Sequence, residues 1–232
     1  MPWSHAFTVQ PGNGKEHCQD AVAIQTDGDS IVLAIADGAG SALQGGAAAQ
    51  LAVTSSLELH EKLWEGAWQE LVEEIQCRLR QAASDGEKVQ DYACTLVLAS
   101  VKPEGVRFLQ VGDGGGVLRT DNLSWIGAEP GEYMNVTTFL HEPVALEKAV
   151  FVEQDTMPDA ICLFSDGLQH LIVDPLTGAL HTPFFERVLA APSAEGQDQR
   201  ASDWLANMAN SEPVRKRTND DIGIAVARRL TP

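Results

Sequence analysis

Four aspartates, each lying at an end of an apolar run, constrain this chain more than any other feature of its sequence. They are Asp20, Asp37, Asp166 and Asp220. The runs IVLAIA and AICLFS come directly before Asp37 and Asp166, and a glycine follows each of these two aspartates. Short apolar runs of this kind predict buried strands. A strand end holds a carboxylate in a fixed position, and the glycine lets backbone and solvent approach closely.

Aspartates placed in this way indicate a metal site rather than part of a hydrophobic core. Several converging carboxylates would repel one another without a cation and would raise their own pKa values. Mg²⁺ and Mn²⁺ prefer oxygen ligands in octahedral geometry. A single Asp-Gly pair is an ordinary turn signal, but the pattern recurs at Asp113, within the glycine-rich segment 112–116. The set therefore predicts a metal-dependent hydrolase.

The composition favours one globular domain over residues 1–232. The chain has 232 residues, of which 44% are hydrophobic, and this is enough for one continuous core. Its net charge is −17. Nucleic acid and anionic membranes require a basic surface, so neither is an expected partner. We expect a monomer.

The cysteines and the N-terminal segment indicate a cytoplasmic location. Cys18, Cys77, Cys94 and Cys162 form no CxxC pair and show no zinc-site spacing. Buried free thiols are the ordinary interpretation, and they are typical of a reducing compartment. No basic region followed by an apolar stretch opens the sequence, so no signal peptide is expected. No apolar run approaches the ~20 residues of a membrane helix.

The order of the predicted elements favours antiparallel sheets with helices on their outer faces over a parallel βαβ sheet. The Ala-rich segment 44–64 and the amphipathic segment 67–83 predict two helices, with a break near Glu65-Gly66, and a third helix is expected at about 199–210. The predicted strands are 21–26, 31–36, 94–101, 106–111, 116–119, 149–153, 160–165 and 222–228.

Three connecting segments are predicted from their turn residues. Asp27-Gly28 is a signal for a tight hairpin between the first two predicted strands. Residues 175–198 contain three prolines and are expected to be irregular. Residues 120–147 are polar and rich in glycine and proline, so we predict a long loop or flap there, and long ordered loops are often functional.

Other motifs carry weaker signals. The glycine run 112–116 breaks the GxGxxG pattern and precedes a predicted strand, so a nucleotide-binding loop is not expected. His17 lies three residues before Asp20 and is a candidate proton donor or phosphate contact. The basic segment 215–217 has two interpretations, a solvated turn or an anion contact immediately before Asp220.

Six motifs in order resemble those of the PPM (PP2C-type) serine/threonine protein phosphatases, and the resemblance spans nearly the whole chain. The DGAGS element, the GDGG element and the GEY segment at 131–133 are similar to a compact bacterial subgroup of that family. The matching elements are Cys18-Gln19-Asp20, Asp37-Gly38-Ala39-Gly40, Ala93-Cys94-Thr95, Gly112-Asp113, Ser165-Asp166-Gly167 and Asp220-Asp221-Ile222.

The resemblance implies an α+β fold, a four-layer α-β-β-α sandwich of two antiparallel sheets flanked by helices. It also implies two Mn²⁺ or Mg²⁺ ions bridged by Asp37, with Asp113 at a position that serves a third ion in bacterial members. The catalytic residues that it implies are Asp37, Asp166 and Asp220. The implied metal ligands are Asp20, Asp37, the Gly38 carbonyl, Asp113, Asp166 and Asp220.

The implied reaction is hydrolysis of phosphoserine and phosphothreonine by a metal-activated water, on a protein phosphorylated by a bacterial serine/threonine kinase. Two residues depart from the family pattern: Lys15 where many members have a phosphate-binding arginine, and Ala39 where animal-type members have histidine. We therefore expect Lys15 or Arg217 to anchor the phosphate. A pseudophosphatase that binds phosphoproteins and a hydrolase of small phosphoesters are the alternatives.

Overall fold

Two β-sheets pack face to face and carry helices on both outer faces, which confirms the predicted four-layer α+β sandwich. The computed structural model describes residues 2–83, 86–128, 137–174 and 176–230. Within these ranges, no helix combines the length and the apolar character that a bilayer span requires.

One sheet is antiparallel throughout, and the other is antiparallel except at one edge, where β10 pairs in parallel with β1. The five-stranded sheet has the order β2 (Ala21–Asp27), β3 (Ser30–Ala36), β4 (Leu96–Lys102), β5 (Gly105–Val111) and β8 (Val150–Gln154). The six-stranded sheet has the order β10 (Gly196–Gln197), β1 (Trp3–Gln10), β11 (Ile222–Arg229), β9 (Ala160–Phe164), β6 (Gly115–Arg119) and β7 (Leu123–Ile126).

Each sheet has its own helical layer. The helices over the five-stranded sheet are α1 (Gly45–Leu59), α2 (Glu61–Trp64), α3 (Trp68–Ala82) and α4 (Ala145–Lys148). Those over the six-stranded sheet are α5 (Asp166–Ile172), α6 (Thr182–Ala190), α7 (Gln199–Ala209) and α8 (Glu212–Arg215). A short 3-10 helix covers Val89–Tyr92. Gly66, with a φ of +73°, separates α2 from α3 at the predicted break.

The central strands are apolar on both faces because both faces are covered. In β3, Ile31, Leu33 and Ile35 pack in the core between the sheets, while the alternate residues pack beneath the helices. The same alternation holds in β9, where Ile161 and Leu163 lie between the sheets. Period-two alternation between two buried faces explains why these strands read as continuous apolar runs in the sequence.

The strand registers bring the aspartates to one rim of the sandwich. Asp37 directly follows β3, and Asp20 directly precedes β2, whose first residue pairs with the last residue of β3. In the other sheet, Asp166 follows β9 and Asp220 lies just before its antiparallel partner β11. Asp113 lies in the connection between β5, in the five-stranded sheet, and β6, in the six-stranded sheet.

The hairpin predicted at Asp27-Gly28 is confirmed. Asp27 pairs with Ser30, and only Gly28 and Asp29 connect the two strands. Gly28 has a φ of +55°, in the left-handed region where glycine is favoured.

Several elements were not predicted. Strand β1 and helix α5 were missed, and the segment 175–198, expected to be irregular, contains α6 and β10. The predicted flap at 120–147 includes strand β7 and helix α4, so that prediction was wrong for both ends of the segment. Its middle part, residues 129–136 with the GEY segment, lies outside the described residues.

Candidate metal centre

Three carboxylates converge at the rim where the strands end. One oxygen each from Asp37, Asp113 and Asp166 lies within 4.8 Å of the others. These residues come from three separate connections that are far apart in the sequence. The structure therefore places three of the predicted metal ligands close enough together to share cations.

Asp37 is held by the neighbouring strand region. Its backbone N–H donates to Thr95 Oγ1 at 3.1 Å, and its carbonyl accepts from the Thr95 N–H at 2.8 Å. This reciprocal pair fixes the backbone immediately beyond β3. Thr95, which the sequence motif had singled out only as a family element, is thus a support for Asp37.

The glycines after Asp37 and Asp166 allow close approach of another backbone. A Cβ on Gly38 would lie 2.3 Å from the Gly45 carbonyl carbon at the start of α1. A Cβ on Gly167 would lie 1.9 Å from the Asp221 carbonyl oxygen. Neither glycine has a positive φ. Both are therefore required by packing at the rim, which is the reason the Asp-Gly pattern repeats there.

Asp20 is joined to the opposite sheet through Ser165. The Ser165 hydroxyl donates to Asp20 Oδ2 at 2.7 Å and accepts from the Gly223 N–H at 2.8 Å. Asp20 is 7% exposed, and its other oxygen, Oδ1, is buried with no hydrogen-bond partner among the described residues. An unsatisfied buried carboxylate oxygen is costly in a protein interior.

The clustered carboxyl groups hold their protons far more tightly than free aspartate does. Burial, followed by the charge of Asp20, raises the pKa of Asp37 from 3.8 to about 9. Burial, followed by the charges of Asp37, Asp113 and Asp220, raises the pKa of Asp166 to about 8. Burial likewise raises the pKa of Asp20 to about 7, against the hydrogen bond from Ser165.

Asp113 completes the cluster and is oriented by a hydroxyl. The Thr137 hydroxyl donates to Asp113 Oδ2 at 2.6 Å, while Asp113 Oδ1 is buried with no hydrogen-bond partner among the described residues. Burial raises the pKa of Asp113, and the bond from Thr137 opposes that rise. Sequence reasoning did not identify Thr137, because it belongs to the segment that was taken as a flap.

The donor set suits hard divalent cations. The converging side chains of Asp37, Asp113 and Asp166 all offer carboxylate oxygens. Asp20 Oδ1 and Asp113 Oδ1 have no hydrogen-bond donor among the described residues, and all four carboxyl groups have a raised pKa. A cation would offset the burial and the mutual repulsion that together raise these pKa values. The residues present therefore fit Mg²⁺ or Mn²⁺ better than a soft metal, which prefers thiolate ligands.

Asp220 and Asp221 have different surroundings. Asp220 has a side chain that is 49% exposed, and its Oδ1 accepts from Lys15 Nζ at 2.7 Å. Asp221 is 2% exposed, and its two oxygens accept from the backbone N–H groups of Gly12 and Gln19 at 2.7 and 2.8 Å. Asp221 thus fixes the N-terminal loop that carries Lys15, a role that the sequence did not reveal.

Lys15 is drawn to the rim by these two acids. Its Nζ also lies 3.3 Å from Asp221 Oδ1. Partial burial lowers the pKa of Lys15, but the hydrogen bond and charge of Asp220, together with Asp221, raise it overall to about 12. The side chain is 35% exposed, so a charged ammonium faces solvent beside the carboxylates.

The basic segment 215–217 is divided between two environments. Arg215 donates to the Asp220 carbonyl at 3.3 Å and to Asn210 Oδ1 at 3.1 Å, so it supports the loop before β11. Arg217 is exposed, and no carboxylate in the described ranges forms an ion pair with it. His17 is exposed on the same N-terminal loop as Lys15.

Comparison with known proteins identifies the family. The sequence profile described as protein phosphatase 2C matches residues 13–208. The chain belongs to the protein phosphatase 2C family. Serine/threonine-protein phosphatase 3 of Escherichia coli K12 is 30% identical over 228 residues, covering 90% of each chain.

Solved structures show that the protein phosphatase 2C fold extends over the whole chain. The Mycobacterium tuberculosis serine/threonine phosphatase PstP/Ppp matches with a TM-score of 0.69 at 16% identity, over 100% of both chains. Staphylococcus aureus Stp1 matches with a TM-score of 0.68 at 17% identity, over 100% of this chain and 96% of that one. At these identities the likeness concerns the fold alone, and the roles of the site residues are inferred from the contacts within this chain.

Proposed function

We propose that this protein phosphatase 2C member hydrolyses phosphoserine and phosphothreonine in protein substrates, using two Mn²⁺ or Mg²⁺ ions and a third at Asp113. The observation that carries the proposal is the convergence of Asp37, Asp113 and Asp166 within 4.8 Å at one rim. The E. coli relative's name, serine/threonine-protein phosphatase, supports the substrate class. A pseudophosphatase is not favoured, because the carboxylate set is intact.

The chain's own residues would supply position and charge. Asp37, Asp20, Asp166, Asp220 and the Gly38 carbonyl would hold the cations. When bound, the cations supply a water that is deprotonated near neutral pH and neutralise charge as the phosphoryl group transfers. Asp37, Asp166 and Asp220 are therefore the proposed catalytic residues, and Ser165 would orient Asp20 through its 2.7 Å hydrogen bond.

Purified protein is expected to release phosphate from a phosphothreonine peptide with Mn²⁺ and to lose this activity in excess EDTA. Restoring Mn²⁺ or Mg²⁺ should restore turnover, because the proposed nucleophile is a water activated by the cations, which the carboxylate cluster would again hold. Phosphate release is measured in parallel with p-nitrophenyl phosphate and a small metabolite phosphoester. A folded preparation that stays inert with both ions would overturn the proposal, and exclusive turnover of the metabolite would assign a different substrate class.

Lys15 and Arg217 are the proposed phosphate anchors. Lys15→Ala is expected to raise the KM for a phosphopeptide by about ten-fold, since a hydrogen bond to a charged group contributes about 1.5–3 kcal/mol. Arg217→Ala should raise the KM less, because no carboxylate among the described residues forms an ion pair that would fix its exposed guanidinium. Lys62→Ala, on the far helical layer, is the control and should leave KM unchanged. An unchanged KM in both Lys15→Ala and Arg217→Ala would remove this assignment.

The remaining proposals concern organisation and setting. We propose a single domain over residues 1–232, supported by the pairing of N-terminal β1 with C-terminal β11 along their full length. The proposed partner is a protein phosphorylated by a bacterial serine/threonine kinase. The expectations of a monomer and of a cytoplasmic location rest on the sequence.

A further inference from the structure

The buried carboxamide of Gln110 connects the loop that carries Asp113 to Ala128, which lies just after β7. Gln110, in β5, is 1% exposed. Its Nε2 donates to the Gly112 carbonyl at 2.9 Å and to the Gly114 carbonyl at 3.3 Å, the carbonyls of the two residues that flank Asp113. Its Oε1 accepts from the Ala128 N–H at 2.9 Å. The orientation of the amide follows from these partners, since carbonyls accept and the N–H donates.

The loop around Asp113 has a conformation that depends on such support. Gly112 and Gly114 both have a φ of +88°, outside the regions that other residues prefer. The Gly114 N–H donates to Gln169 Oε1 at 3.2 Å, so α5 also holds the loop. These contacts fix the backbone on both sides of the Asp113 carboxylate.

Ala128 is held at the same point from two directions. Its N–H is bound by Gln110, and its carbonyl accepts from Trp125 Nε1 at 2.7 Å. A Cβ on Gly127 would lie 2.4 Å from Gln110 Oε1, so glycine at that position makes room for the carboxamide. Ala128 is therefore linked to the Asp113 loop through Gln110, while Thr137 donates directly to Asp113.

We propose that Gln110 is a positioning residue for the cation held by Asp113. This inference rests on the proposed function. The carboxamide acts through the backbone, holding Gly112 and Gly114 so that the Asp113 carboxylate points at the cluster, and it couples that position to Ala128. Groups that orient a metal ligand typically change metal affinity by about 10–100-fold when they are removed.

Gln76 offers a matched control. It is 7% exposed, and its Nε2 also donates to two backbone carbonyls, those of Leu140 and Glu142, at 2.9 and 3.0 Å. Methionine is similar in size to glutamine but has no carboxamide. Replacing either glutamine by methionine therefore leaves two backbone carbonyls without their donor. Only Gln110 lies beside Asp113. If the role of Gln110 is purely structural, its variant should nevertheless behave as the Gln76 variant does.

The experiment compares wild type, Gln110→Met and Gln76→Met by Mn²⁺ calorimetry, by the Mn²⁺ dependence of phosphopeptide turnover, and by melting temperature in EDTA. Gln110→Met should lower the Mn²⁺ affinity of the weakest site, which we assign to Asp113. It should also raise the Mn²⁺ concentration for half-maximal turnover by about ten-fold. Gln76→Met should lower the melting temperature to a similar extent while Mn²⁺ binding stays at the wild-type value.

The inference would be overturned if Gln110→Met bound Mn²⁺ as the wild type does, or if both variants lost Mn²⁺ affinity equally. Provided that the wild-type protein hydrolyses the phosphopeptide, the proposed function would still stand. A wild type that neither binds Mn²⁺ nor hydrolyses phosphopeptide would instead remove both. If Gln110→Met does not fold, Gln110→Asn replaces it. Its carboxamide is one methylene shorter and cannot span the same three groups, so weaker Mn²⁺ binding is again expected and wild-type binding would contradict the inference.

Discussion

In EDTA, the free energy of unfolding should fall as the pH rises from about 4 to about 9. The folded-state pKa values of Asp37, Asp166 and Asp20 are raised to about 9, 8 and 7 from an ordinary value of 3.8. The folded protein therefore retains protons that the unfolded chain has already released. The contribution of these groups to the free energy of unfolding is fully present below pH 3.8. It is lost as the pH rises through the folded-state pKa of each group.

The size of the effect follows from proton linkage. Each excess proton bound by the folded state changes stability by about 1.4 kcal/mol per pH unit. For a chain of this length that corresponds to about 3–6 °C in melting temperature per pH unit and proton. Thermal unfolding followed by circular dichroism at fixed ionic strength measures this slope. Saturating Mn²⁺ should reverse it, because cation binding is favoured by the ionised carboxylates. A melting temperature that is flat or rises with pH in EDTA would contradict the account.

Asp37→Asn is expected to lower phosphopeptide turnover by more than about 100-fold, since even residues that only orient metal ligands cost 10–100-fold. The variant removes the carboxylate with the highest pKa in the cluster and the one proposed to bridge the cations. The stabilisation that Mn²⁺ gives to the wild type should largely disappear. In EDTA at pH 8, by contrast, the variant should melt above the wild type, because the folded wild type must keep Asp37 protonated at a pH where the unfolded chain has released that proton, and a neutral amide carries no such cost.

This opposite change in the two conditions separates a metal ligand from a structural residue. A residue needed only for folding would destabilise the protein both with and without Mn²⁺. Asp121→Asn, at an exposed position in the turn between β6 and β7, is the matched control and should leave turnover and both melting temperatures unchanged. Wild-type turnover in Asp37→Asn would exclude Asp37 from the catalytic centre.

The elements that were predictable from the sequence are those buried on both faces. In β3 after Ser30 and throughout β9 every position is apolar, because one face meets the other sheet and the alternate face meets helices. The amphipathic stripe of α3 was equally readable, since Leu71, Ile75 and Leu79 are fully buried and recur at helical spacing. The repeated Asp-Gly pairs pointed to one rim because they follow such strands.

Strand β1 was missed because the face that meets α7 is made of small and polar residues. Ser4, Ala6 and Thr8 are buried, with α7 packed against the strand, and the Ser202 hydroxyl accepts from the Phe7 N–H at 3.3 Å. Close packing of a helix on small side chains removes the apolar alternation that marks a strand. Helix α5 was missed for a different reason, since Asp166-Gly167 reads locally as a turn but begins a helix.

The supporting residues of the site had no readable signal. Asp221 resembles its neighbour Asp220 in the sequence, yet one is buried against backbone N–H groups and the other faces Lys15. Gln110 lies in β5, and its partners Gly114 and Ala128 lie outside that strand. Such roles depend on contacts between distant segments, which local pattern and spacing do not encode.

The most direct test of the account is anomalous diffraction at the manganese edge from crystals grown with Mn²⁺. The account predicts two strong peaks at the rim, both at coordination distance, about 2.0–2.6 Å, from Asp37, with Asp166 and Asp220 among the other ligands, and a weaker third peak beside Asp113. Manganese found only on surface carboxylates, with no peak near Asp37 at saturating concentration, would contradict it.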